Sequence, residues 1–151
     1  MKPATYWTAA SVGVIVVLAA FLAVSIRARN DSDESVRFLR QNADNALSYQ
    51  LSIVASSFGK DLAEDEEGYH QCIAALSAAA AISPLTTYEA QNDLIDGVLY
   101  GFVGMLNNPS NKETVLRHAP ELRTIFLKLH VNPADAAATQ RLSELSSTLR
   151  S

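Results

Sequence analysis

The chain has a single cysteine, Cys72, so no disulfide can form within it. That excludes a disulfide-stapled fold and fits a reducing compartment without demanding one. Strand signals are scarce as well: β-branched residues concentrate near the amino terminus, and no hairpin turn separates alternating runs. No internal repeat at solenoid period is present. Catalytic signatures are missing too. His70, His118 and His130 lie far apart, and His70 and Cys72 are two positions apart, which puts them on different sides of a helix rather than at metal-binding spacing. The helical neighbours of Cys72 (Gly68, Tyr69, Ala75 and Leu76) include no base that could activate a thiol. The expectation is a protein that is not an enzyme and needs no cofactor or metal.

Charge of either sign is missing from Thr8 to Ile26, "TAASVGVIVVLAAFLAVSI", and so is proline. At ~1.5 Å per residue this run spans ~28 Å, close to the ~30 Å hydrocarbon core of a bilayer. Tyr6 and Trp7 precede it, where aromatic rings suit the headgroup level, and Arg27 and Arg29 follow it, able to snorkel outward. The reading is a membrane anchor over 1–29, with the transmembrane part at about 7–26. The rival reading is a cleaved secretory signal, for which Ala23, Val24 and Ser25 supply small residues. Against it stand the lone Lys2 before the run, the arginines directly after the cut, and the length of the apolar stretch. Ala9 and Gly13 form a small-xxx-small pair through which two anchors could associate. Arg27, Arg29, Arg37 and Arg40 outnumber Lys2, so the positive-inside bias leans the soluble part toward the cytoplasm. Export of that part, to the periplasm or outside the cell, is the alternative.

Residues 30–151 hold 9 of the 12 basic side chains and all 16 acidic ones, a formal charge of −7. Such a domain neither releases counterions from a phosphate backbone nor attracts anionic lipid, which argues against nucleic acid and toward a protein partner with a basic face. Residues 30–35 read as a polar linker and 36–151 as an acidic α-helical domain, with the first helix starting near Asp33 or Ser35.

Within the domain, Val36, Leu39, Ala43, Leu47, Leu51, Val54, Phe58 and Leu62 recur at helical spacing, with Gly59 weakening the end of that helix. A second helix follows to about Ile82 with Tyr69, Ile73, Leu76 and Ala80 on one face, and "SPL" stops it. Thr86 with Glu89 forms a capping box that predicts a third helix from there to about Leu106, with "VLYGFVGML" at the centre of the core. Ser110 with Glu113 predicts a cap for a fourth helix, which Pro120 kinks or restarts. Asn132 with Pro133 predicts the cap of the last helix. The fold class is therefore all-α: one amino-terminal transmembrane helix followed by a bundle of about five helices.

Two clusters are candidate interaction residues. Asp61, Glu64, Asp65, Glu66 and Glu67 form an acidic run at a helix entry, where the helix dipole favours them; a partner contact is the functional reading. The run lacks the spacing and central glycine of a calcium loop. Gly97, Gly101 and Gly104 share one helical face and suit close helix packing, within the bundle or against a partner. Phe38, Tyr49, Tyr69, Phe102 and Phe126 are the aromatics whose exposure decides between core and binding face. Together these features lead to a membrane-tethered helical interaction protein, a scaffold or accessory subunit of a membrane complex. The alternatives are an immunity-type inhibitor of a basic toxin and, behind it, a ligand-sensing bundle.

Overall fold

The computed structural model describes residues 33–149. The anchor at about 7–26, with Ala9 and Gly13, lies outside the described residues; among those described, no helix is long and apolar enough to cross a membrane. Every regular element among the described residues is helical. Helix α1 runs over 33–57, followed by α2 (Glu66–Ile82), α3 (Ile95–Leu106), α4 (Lys112–Arg117), α5 (Ala119–Val131) and α6 (Ala136–Leu149). Short 3₁₀ turns, Ser83–Leu85 and Pro109–Asn111, join α2 toward α3 and α3 to α4. The chain divides into two compact units at Leu39, and the helical bundle is the unit from Arg40 onward.

The bundle packs in sequence order with one return: α2 lies against α3, α5 against α6, and α6 closes back onto α3. Its centre is a triad of rings. Phe58 stacks on Phe126 at 5.9 Å, and Phe102 meets both, at 6.5 and 5.7 Å. Burial of such a ring stabilises by roughly 1.5–3 kcal/mol, and a well-placed aromatic pair adds roughly 0.5–1.5 kcal/mol. Leu47, Leu51 and Val54 of α1, Leu76 of α2, Leu99 of α3 and Leu122 and Leu129 of α5 fill the space around the triad without solvent exposure. The apolar periodicity of α1 thus faces the core from Leu47 onward, and its last member, Leu62, is buried in the turn beyond Gly59. Gly59 is tight: a Cβ there would stand 3.1 Å from Nε of Arg123.

The first helix is already formed at residue 33, in line with a start near Asp33 or Ser35, and the acids Asp33 and Glu34 suit such a start. The structure differs from the sequence expectation at three boundaries. The third helix begins at Ile95 rather than near Thr86. The Thr86 hydroxyl donates back to Ser83 O (2.7 Å) instead of capping forward. Next to it, the Asp44 carboxylate of α1 accepts from both the N–H and the hydroxyl of Thr87 (2.8 and 2.7 Å). Asn92, buried in the same segment, donates to Pro133 O (2.9 Å) and to Thr139 Oγ1 (2.7 Å). Bonds to three other parts of the chain outcompete one local capping box. The second difference is at α4, where Asn108, not Ser110, caps the preceding turn by accepting from the Ser110 N–H. The third is at α6: Asp135 accepts from the Ala138 N–H (3.0 Å), while Asn132 ends α5 in extended geometry. Pro120 does restart the helix, within the first turn of α5.

Candidate interaction surfaces

The acidic run folds as a turn and a helix start. Leu62 pins it to the core, and Asp61 accepts from the Ala63 N–H (3.2 Å). Asp65 is the N-cap of α2 and accepts from the Gly68 N–H (2.8 Å). Glycine at 68 leaves room for that cap, since a Cβ there would push the Asp65 carboxylate aside. Glu66 reaches across to Lys112 of α4 (2.6 Å) and to His70 one turn on (3.5 Å). The Lys112 ammonium holds the Glu66 carboxyl below its usual range and also sits 4.8 Å from the centre of the Tyr69 ring. Two acids, Glu64 and Glu67, are exposed with no partner among the described residues. The structure brings the five acids to one corner of the bundle and binds three of them into that corner.

The glycine face of α3 is not used for close packing inside the bundle at its two ends. Gly97 and Gly104 are exposed, and a Cβ built on either meets nothing within 4 Å. Gly97 and Gly101 instead line, with Val98 and with Ser143, Ser146 and Ser147 of α6, an open hollow of about 210 Å³. Tyr100, read from the sequence as part of an apolar core segment, stands 54% exposed, and Leu94, at the N-cap of α3, is 66% exposed. The opposite face of α3, from Ile95 through Leu99 and Phe102 to Leu106, takes the core. A single helix therefore carries two apolar faces, one covered and one open.

Of the five aromatics, Tyr69, Phe102 and Phe126 are core, and the Tyr69 hydroxyl donates to Leu106 O (3.0 Å). Phe38 and Tyr49 are exposed. Sequence reasoning missed the apolar surface at the end of α5, where Leu127 and Val131 are exposed and line, with Thr124, Lys128, Asn132 and Asp135, a shallow hollow of about 480 Å³. The signal that could have found it is the i, i+4 pair outside the Leu122–Ile125–Leu129 stripe.

The side chains most suited to chemistry are occupied. The His130 ring nitrogen Nδ1 is hydrogen-bonded with Ser48 O (2.9 Å), which ties α5 to α1. His118 lies 3.6 Å from Glu121, whose carboxylate also accepts twice from the Arg141 guanidinium. Burial pushes the Cys72 thiol up to about 12, against a smaller opposing pull from the Ser57 hydroxyl. Among the described residues no three His, Cys, Asp or Glu side chains converge as a metal site would need. No family model matches the chain, and neither a curated protein nor a solved structure matches it.

Proposed function

We propose that this protein binds another protein at a membrane, as a tethered scaffold or accessory subunit. The observation that carries the proposal is the outer face of α3, where Leu94 and Tyr100 are left uncovered beside two glycines whose Cβ positions are open. An exposed glycine in a helix interior costs roughly 0.5–1 kcal/mol relative to alanine, and no contact in the bundle repays it. A partner helix approaching that face would. The uncharged run at 8–26 supplies the tether, and holding the bundle near a membrane-bound partner raises the effective concentration of each for the other. Binding rather than catalysis also fits the engaged histidines and the protonated thiol. By the arginine bias the bundle faces the cytoplasm.

The test is purification of the full-length protein from its own membranes in mild detergent, with and without Leu94→Asp and Tyr100→Asp. Recovery of a partner with the parent chain and its loss with both variants is the expected result. A chain that is monomeric and partnerless in every preparation overturns the proposal. The inhibitor alternative draws on the acidic corner, but only Glu64 and Glu67 there are uncommitted. If Glu64→Lys and Glu67→Lys release the partner while the α3 variants retain it, that reading takes precedence.

A further inference from the structure

We propose that the surface at the end of α5 pairs with the same surface of a second copy of this chain. The two copies meet about a two-fold axis near Val131, with Lys128 of each facing Asp135 of the other. This contact uses no residue of the outer face of α3 and adds self-association to the binding proposed there.

Val131, the last residue of α5, is 81% exposed, and Leu127, one turn before it, is 44% exposed. Both line the shallow hollow of about 480 Å³, and the charged residues that line it with them are Lys128 and Asp135. In the chain, those two stand on either side of Val131. Neither is in an ion pair among the described residues. The Asp135 carboxylate accepts from the Ala138 N–H through Oδ1, and its Oδ2 has no partner among the described residues.

These charges select the partner. The lining of the hollow is neutral in sum, whereas residues 41–151 carry a formal charge of −6. A uniformly acidic partner would be repelled by Asp135, and a uniformly basic one by Lys128. An anionic lipid surface calls for a cluster of about four to eight basic side chains, and this surface offers one. Both groups are answered by an apolar patch that carries an anion and a cation in the reverse order. The same surface turned through a two-fold axis presents that pattern, so each Lys128 meets an Asp135. Val131 then packs on its counterpart near the axis, with Leu127 beside it, and these side chains leave water. A patch without net charge is also where two acidic bundles approach with least repulsion. Two apolar side chains per copy and two symmetric ion pairs make a contact of the small, transient class, which cross-linking traps.

The experiment uses the full chain in the membranes of the cells that express it. Val131→Cys and, as control, Leu85→Cys, which is 64% exposed in the turn after α2, are oxidised with copper phenanthroline. Non-reducing gels then give the rate of dimer formation. Cys72 is buried and its thiol protonated, so it does not contribute. Val131→Cys should cross-link several-fold faster than Leu85→Cys. Within the Val131→Cys chain, Lys128→Ala and Asp135→Asn should each slow the reaction roughly threefold, since each leaves the opposite charge unpaired. Asparagine keeps an oxygen that caps α6. The two substitutions together should slow it no further than either alone, because one already removes both pairs. Cross-linking at the control rate overturns the proposal. So does a fast cross-link that ignores both charge substitutions, and so does one that each substitution slows independently of the other. If alkaline extraction releases the chain, the membrane tether is overturned, and the same comparison in the soluble fraction decides this contact.

Discussion

Residues 33–42 and 43–57 belong to one continuous helix and share one apolar spacing, yet they end in opposite surroundings. Leu47, Leu51 and Val54 are sealed in the bundle, while Val36 and Leu39, earlier members of the same series, stand in the open. Periodicity defines a face; it does not say what covers that face. For α1 the difference is supply: Leu47, Leu51 and Val54 belong to the same core cluster as Phe102 and Phe126, and His130 of α5 is bonded with Ser48 O, whereas every residue from 33 to 42 is exposed. The two faces of α3 repeat the contrast, with Leu99 covered and Leu94 uncovered.

The sharpest way to break the comparison is to truncate one leucine in each part of α1. Leu51→Ala should destabilise the folded chain by about 2–5 kcal/mol, since it removes a fully buried side chain and leaves a cavity. Leu39→Ala should change stability by less than about 0.5 kcal/mol. Urea titrations of both variants in one detergent, followed by circular dichroism, decide it. A comparable loss at Leu39 would mean that its face is covered in the solution state.

Buried polar groups extend the contrast to the segment that the capping box assigned to a helix. Asn92→Ala would leave Pro133 O and Thr139 Oγ1 without their donor, at a cost of about 1–3 kcal/mol. The same urea titration measures it. An effect within error would show that water replaces the amide and that this segment is looser than its bonds imply.

How much of this could be read in the sequence depended on how local the cause was. The α2 face through Tyr69, Leu76 and Ala80 and the break at Pro84 followed from spacing and backbone chemistry alone. Thr86 and Ser110 misled because a capping box is a pattern over four residues, whereas Asp44 lies far from Thr87 in sequence and Asn92 far from Pro133. The acidic corner was visible as composition, but the pairing of Glu66 with Lys112 needed the fold. Gly97 and Gly104 were visible as one face; whether that face was open depended on where α6 lay.

Two caps sharpen that lesson at a smaller scale. Asp65→Ala removes the acceptor at the start of α2 and should cost about 0.5–2 kcal/mol, whereas Ser110→Ala should be near neutral because Asn108 makes the bond there. Thermal melts of the two variants side by side test this. On the outer face of α3 the sign should reverse: Gly97→Ala and Gly104→Ala, with open space for the methyl group, should each stabilise by about 0.5–1 kcal/mol. If the same variants also lower partner recovery, the glycines are kept for the partner and not for the fold.

The smallest expected effect belongs to the surface ion pairs. Glu121 is held below the ordinary carboxyl value of 4.5, first by the hydrogen bond from Arg141 and then, more weakly, by His118. A carboxyl whose folded value is lowered binds its proton more readily in the unfolded chain. Its contribution to stability is therefore complete above about 4.5 and fades as pH falls through the lower folded value. The stability difference between the parent chain and Arg141→Ala should accordingly be constant near neutral pH and shrink in acid. Because the pair is exposed, 0.5 M salt should shrink it as well. A difference that persists unchanged in acid would instead trace the loss to packing of the arginine stem between α5 and α6. That outcome would move Arg141 from the solvated surface to the covered side of the comparison.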